Sequence, residues 1–461
     1  MYSMTQTQRQ AMLQDIDANM PQLIRSVQEL VRIPSVKEAA QPNMPLGKPI
    51  EDCLEAALCL GRKLGFSTKN LDGYVGLADS GQGEELLGVL CHLDVVPAGA
   101  GWTKAAPFSG EMVGQRIYGR GTMDDKGPAV CALYALHAVM AAGIPLKRKV
   151  RILLGCDEEE EWECIRRYKE TEPLPSLSFS PDGTYPLVWA ERSICHNTFG
   201  CADVSPIRIA AGERANVVPG AAQAWVPFAV SSQALEQREG FSTSCTQERN
   251  GTLIQVCGHA AHASTPEEGH NALLWLLQLL SKLPIGDIPG GDTICGLASL
   301  FSMDQHGEGF DLDVQDETGR LTLNLGILHW DEQGLRLTTD VRAPLCLQPE
   351  AVGAKLAAKL EPLGLAFQKD HIQPGHALPL EGELVETLLR VYRDVTGDSS
   401  AQPLAIGGAT YARAFANAAA FGCERQGEPM LAHMPDEYIS IQDLRFHTQM
   451  MAEAIAALAG A

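Results

Sequence analysis

No window of this 461-residue chain approaches the roughly 20 consecutive apolar residues that a bilayer-crossing helix needs. A helical membrane span is therefore excluded as an organising element. The opening stretch, residues 1–20, is polar and lacks the basic-then-apolar layout of a secretory leader. Positive charge is scarce: 36 Lys and Arg stand against 57 Asp and Glu, a net charge of -21. That balance argues against nucleic acid or an anionic membrane surface as a partner. Thirteen cysteines include no Cys-x-x-Cys pair. Cys91, Cys131 and Cys257 sit inside apolar runs, where a reduced cysteine packs as a small hydrophobe, so a reducing, cytoplasmic setting is expected. No Gly-x-Ser-x-Gly element or nucleophilic-cysteine arrangement occurs, which argues against covalent acyl-enzyme chemistry. Internal repeats and low-complexity tracts are missing too.

What is present reads as an α/β enzyme of two domains, since the length exceeds one ordinary core. Apolar residues recur at helical spacing from about Leu23 to Val31 and from Ile50 to Leu64. Leu86–His92 and Lys149–Gly155 are continuous apolar runs of the kind found in buried parallel strands. An alanine- and leucine-rich helix is expected over Gly127–Ala142, with Pro128 tolerable in its first turn. Near Pro186–Ser193 the character changes to short strands with turn signals and few long helices, apart from 271–283. Helical patterning returns at Leu380–Thr396 and Ile441–Leu458. The expected organisation is a catalytic domain with a mostly parallel sheet between helices, formed by 1–190 and 378–461. An α+β lid or substrate domain is inserted at 191–377.

The residues that carry chemistry cluster at strand ends. His92-Leu93-Asp94 follows the first run, Asp124-Asp125-Lys126-Gly127 comes a loop later, and Asp157-Glu158-Glu159 follows the second run. Ligands of open α/β sheets collect beyond the carboxyl ends of strands, so His92 and Glu158 can converge. Imidazole nitrogen and carboxylate oxygen together suit zinc, manganese or cobalt, and one carboxylate can bridge two ions. Taken singly, each has a plainer reading: a strand-end histidine that simply packs, an Asp182 that makes a turn between Pro181 and Gly183, a solvated acidic loop.

The ordered set of motifs resembles the dinuclear-zinc peptidase family of carboxypeptidases, aminoacylases, carnosinases and desuccinylases, and within it the PepV-like dipeptidases. Its carriers are HLDVVPAGAGW from His92, IYGRGTMDDKGP from Ile117, CDEE from Cys156 and SPDGTYPLVWAE from Ser180. ANVVPG from Ala215, GHAAHASTPEEGHNA from Gly258, VRAP from Val341, GGATYAR from Gly407 and HMPDEYISI from His433 complete it. The resemblance implies two divalent ions, zinc first and manganese or cobalt as alternatives. Asp124 would bridge them, His92 and Asp182 would complete one, and Glu159 and His433 the other. Glu158 would be the general base. Asp94 would accept the second N–H of His92, and the Asp124–Asp125 peptide would be cis.

Away from the metals, the resemblance implies that His262 stabilises the oxyanion and that Asn216 holds substrate polar groups. Arg342 would grip a free carboxylate by a two-pronged contact, helped by Gly407, Gly408, Thr410 and Arg413. It also implies a monomer that hydrolyses small peptides. Three features depart from the family's habit: the acidic Glu160-Glu161 extension, Asp340 where Asn is usual, and Ala409 where a third Gly is usual. An N-acyl-amino-acid deacylase on the same scaffold is the rival enzyme, and a binding protein that keeps the fold without catalysis is the rival from another class. His259, His270, His371, His376 and His447 have no motif support of their own and are expected to pack or to face solvent.

Overall fold

Leu86–His92 and Lys149–Gly155 lie side by side and parallel in the computed structural model of this protein, with His92 opposite Gly155. Residues 4–425, 427–429 and 431–460 are described. Every residue of Leu86–His92 is buried, as a strand covered on both faces requires. Leu177–Ser180 continues the parallel pairing on the other side of Leu86–His92, and Ala418–Ala420 pairs parallel to it in turn. Val75–Ser80, beyond Lys149–Gly155, is antiparallel, as are Ser67–Leu71 and Val188–Glu191. The nine-stranded sheet is therefore parallel at its centre and antiparallel towards its edges. Because the two central strands run in the same direction and in register, the loops after His92 and after Gly155 leave from one end of the sheet.

Helices Gln6–Val31, Lys48–Lys63, Lys126–Ala141 and Ile441–Ala459 bury their apolar faces in the same core as this sheet. The first is far longer than the apolar spacing of Leu23–Val31 implies. Thr5 and Gln8 form a reciprocal capping box, and Met12 and Ile16 carry the buried stripe back towards it through an otherwise polar sequence. Lys126–Ala141 is buried on nearly every side, which explains its uniform Ala/Leu/Val composition. No described helix is long and apolar enough to cross a membrane.

The chain divides into two units, 1–189 with 377–404 and 409–461, and 190–376 with 405–408. The second unit holds an eight-stranded antiparallel sheet. Its core joins three helices: Ala272–Ser281, Gly291–Phe301 and Pro349–Leu360. The sequence reading anticipated only the first. Pro349 at the helix start, with buried Val352, Leu356 and Leu360 four apart, is the signal for the third. Cys257 corrects another expectation. It ends a strand with alternating exposure, Gly251–Cys257, and lies exposed rather than packed.

His447, on helix Ile441–Ala459, is buried at 1% exposure and stacks on Tyr185 at 5.8 Å. Burial lowers its pKa to about 3, Arg425 pushes the same way, and Asp443 opposes. A histidine held neutral in the fold but free to ionise when unfolded contributes stability that is complete above its unfolded pKa near 6.5. That stability drains as pH falls towards about 3. Below pH 6 the wild type should therefore lose up to about 1.4 kcal/mol per pH unit relative to His447→Phe. Denaturant midpoints of the two proteins at pH 7, 6 and 5 check this, and a constant difference between them would refute it.

Candidate functional site

The loops leaving one end of the central sheet gather six side chains of the first unit. His92 Nε2 lies 2.9 Å from Asp124 Oδ1 and 3.8 Å from Asp182 Oδ2. His433 Nε2 lies 3.0 Å from Asp124 Oδ2 and 3.0 Å from Glu159 Oε2. The two oxygens of Asp124 thus face two different histidines. Donor atoms of His92, Glu158 and Asp182 lie within 4.8 Å of one another, and so do those of Asp124, Glu159 and His433. Such a donor set, imidazole and carboxylate without thiolate, suits hard to borderline divalent cations.

The electrostatics have one theme. Burial, compounded by the charge of Asp124, pushes Asp182 up to about 8. Glu158 is raised well above the carboxylate range by burial and by Asp182 and Glu159. Glu159 is raised by burial and by Asp124. Burial would also raise Asp124, but hydrogen bonds from His433 and His92 outweigh it and hold it low. His433 is raised to about 11 against burial by Asp124 and Glu159. Four carboxylates packed this closely repel one another, and divalent cations among them would remove that repulsion. The residues fit a metal pair.

Neighbouring groups hold this cluster in place. His92 Nδ1 is 3.0 Å from the Asp94 carbonyl oxygen, while the nearer Asp94 carboxylate oxygen stands 3.5 Å away. The Asp94 carboxylate instead accepts the Glu159 backbone N–H at 3.0 Å. Asp94 thus faces the imidazole with its carbonyl and, at longer range, its carboxylate, and that carboxylate also fixes the Glu159 loop. Asp125 accepts the His92 backbone N–H at 3.0 Å, and the Asp124–Asp125 peptide is cis. Within the acidic run, Asp157 is buried against Lys37 Nζ at 2.8 Å and accepts the Glu163 N–H at 3.0 Å. Glu160 and Glu161 are exposed, as a solvated extension would be.

In the second unit, Asn216 and His262 are neighbours, because the Ala263 N–H donates to the Asn216 carbonyl and Val217 bridges His262. Buried Asn324 donates through Nδ2 to the carbonyls of Ala215 and Val217, both at 2.9 Å, and so clamps the chain on either side of Asn216. His262 Nδ1 lies 2.7 Å from Ser264 Oγ. Arg342 is engaged on all sides. Its Nε and Nη2 are engaged by Asp340 at 2.6 and 2.8 Å, and Nη1 donates to the Gly407 carbonyl at 2.7 Å. At 3% exposure this fork is engaged within the chain. Asp340 also meets His196 Nε2 at 2.8 Å, so the aspartate at the usual Asn position contacts both Arg342 and His196.

Gly407 owes its identity to close packing: a Cβ there would stand 2.6 Å from Arg192 Nη2 and 2.8 Å from Ser264 Cβ. Gly408 has only Ile406 near such a Cβ, at 3.4 Å. Thr410 Oγ1 accepts the Ala412 N–H at 3.1 Å, capping the short turn Tyr411–Ala414 that carries Arg413. Asn324, Arg192 and Glu424 lie far along the chain from the loops they meet and carry no local sequence signal of a role. Glu424 pairs with the Asp182 loop, its N–H donating to the Gly183 carbonyl at 2.9 Å and its Oε2 accepting from Thr184 Oγ1 at 3.0 Å.

A strand-end cluster of this kind on an α/β sheet is suited to holding divalent ions. The chain belongs to the peptidase family M20/M25/M40, whose description matches residues 88–457. It is 37% identical over 455 residues to the protein named "Putative dipeptidase YtjP" of Bacillus subtilis (strain 168), covering 95% of this chain and 97% of that one. Among solved structures it resembles human carnosine dipeptidase 1 with a TM-score of 0.61 at 13% identity, over 97% and 98% of the two chains. It also resembles the dipeptidase Dug1p of Saccharomyces cerevisiae with a TM-score of 0.60 at 13% identity, over 98% and 99%.

Replacing Asp340 with alanine leaves Arg342 buried without its counter-charge. The expected loss is about 3–5 kcal/mol of stability, the usual effect of breaking a buried ion pair. Denaturant unfolding of Asp340→Ala measures it, and a loss below about 1 kcal/mol would mean the guanidinium finds solvent after all.

Proposed function

We propose that this protein is a dipeptidase that uses two divalent cations, zinc first, with manganese or cobalt as alternatives, to hydrolyse the amide bond of short peptides. The observation that carries this reading is the shared aspartate. Asp124 offers one oxygen to the His92, Asp182 side and the other to the His433, Glu159 side. One carboxylate between two groups of donors is what a bridged pair of ions requires. The names of the relatives point to dipeptides as the substrate class.

The chemistry such ions supply when bound is acidification of an attacking water and polarisation of the amide carbonyl. In this reading Glu158 takes the proton from that water and returns it to the leaving amine nitrogen. Its place is favourable for the task, because it is enclosed beside His92 and Asp182 while its neighbour Glu159 points to His433. Burial keeps its proton affinity high, which suits a group that must carry a proton through the reaction. Asn216 and His262, which share one loop pair, are assigned to substrate polar groups, and Arg342 to holding the Gly407 turn.

Two variants test the assignment. Asp124→Ala should bind neither ion tightly and be inactive, since it removes the shared ligand. Metal content by atomic absorption checks this, and two retained ions would overturn the bridging role. Glu158→Ala should keep both ions and lose at least roughly 10²-fold in turnover. Loss of one ion instead would make Glu158 a ligand of the His92, Asp182 group rather than the base. A panel of dipeptides and N-acetyl amino acids separates the dipeptidase from the deacylase by which set the wild type cleaves.

A further inference from the structure

Arg120 and Glu437 form a buried ion pair at 2.5 Å, with side-chain exposures of 2% and 0%. Neither touches a donor atom of the candidate metal groups. Both instead bond to the main chain that carries those groups. Glu437 Oε1 accepts N–H groups from Gly121 and Met123 at 2.9 Å each and from Asp124 at 3.4 Å. The Thr122 hydroxyl adds a longer contact at 3.4 Å. Converging backbone N–H groups make a concave anion site, and here the anion belongs to the chain itself. Gly121, at φ 87°, permits the turn that aims them.

From the other member of the pair, Arg120 Nη2 donates to the His433 carbonyl at 2.9 Å and Nη1 to the Met434 carbonyl at 3.4 Å. Arg120 Nη2 also reaches the Ala98 carbonyl at 3.5 Å. His433 itself sits at φ 64°, a left-handed conformation that is unfavourable for a residue with a Cβ. The loop that bears it must therefore be held from outside. Asp436 does part of this by accepting the N–H groups of Thr103 and Lys104 at 2.7 and 2.9 Å. The ion pair adds to this by bonding to the main chain of both the Asp124 loop and the His433 loop.

We propose that Arg120 and Glu437 are positioning residues that set the spacing between Asp124 and His433, and so the affinity of the ion held by Asp124, Glu159 and His433. The inference rests on the two-metal reading above. Asp124 is common to both groups, but the other group also draws on His92 and Asp182, whose loops are held by Asp125, Asp94 and the Gly183–Glu424 pairing, none of which involves this pair. Its ion should be affected less.

The test is stepwise cobalt(II) titration of the metal-stripped full chain, followed by calorimetry and by the visible absorption of the bound ion. Glu437→Gln keeps an acceptor oxygen for the N–H groups but cannot neutralise Arg120. Arg120→Lys keeps the charge but loses the second donor nitrogen, and so the bond to His433. In both, one of the two binding steps should weaken by roughly 10–100-fold, with a changed absorption envelope, while the other stays near wild type. Folded variants that bind both ions as the wild type does would overturn the proposal, and so would equal weakening of both steps. If Glu437→Gln does not fold, Arg120→Lys decides alone. Failure of the two-metal reading would appear separately, as a wild type that takes up fewer than two ions.

Discussion

Asp124 sits between two histidines with one oxygen turned to each, surrounded by three further carboxylates that burial deprives of solvent. Like charges at this spacing do not rest together unless something fixes them, and much of the first unit can be read as that fixing. The parallel register of the two central strands delivers His92 and the Glu158–Glu159 loop to the same end of the sheet. Asp94 then ties those two loops to each other through the Glu159 N–H, and Asp125 holds the His92 backbone. The carboxylates around the ligands bond chiefly to main chain. That choice makes sense physically, since a backbone N–H cannot change rotamer and transmits position without competing for the metal.

How far the sequence revealed this depends on the distance over which each signal acts. Strands buried on both faces must be apolar throughout, so Leu86–His92 and Lys149–Gly155 were legible at once, and with them the sheet end where acids collect. Helix Gln6–Val31 was read short because its first half buries only Met12 and Ile16 among polar residues, and its start depends on a local hydrogen-bonded box. Helix Pro349–Leu360 was missed for a related reason: a narrow stripe in an alanine- and lysine-rich segment has little contrast. Cys257 misled because an alternating strand at a sheet surface looks apolar when only its composition is weighed.

Within the site, residue types and spacing could identify candidate donors, since only a few side chains suit a divalent ion. What they could not identify is which polar groups spend their hydrogen bonds inside the protein. Arg342 and Asp340 are two residues apart on one strand, on the same face, and that adjacency alone allows the ion pair that engages the guanidinium. The aspartate at the usual Asn position was noticed as a departure, yet its meaning depends on His196 across the sheet, a contact with no trace in local sequence. Asn324, Arg120 and Glu437 share this property: each lies far along the chain from the loops it holds.

The division of labour between the two units follows from the same physics. In the first unit, the candidate donor atoms are held by buried charges answering backbone dipoles. In the second, Asn216 and His262 sit on loops that pair with each other and lean on one buried amide, Asn324. Neutral hydrogen bonds of that kind are weaker than charge-assisted ones and yield more readily. On the reading proposed above, a group that holds an ion and a group that meets peptide chains would have opposite requirements for stiffness. The hydrogen-bond networks of the two units differ in the direction those requirements demand.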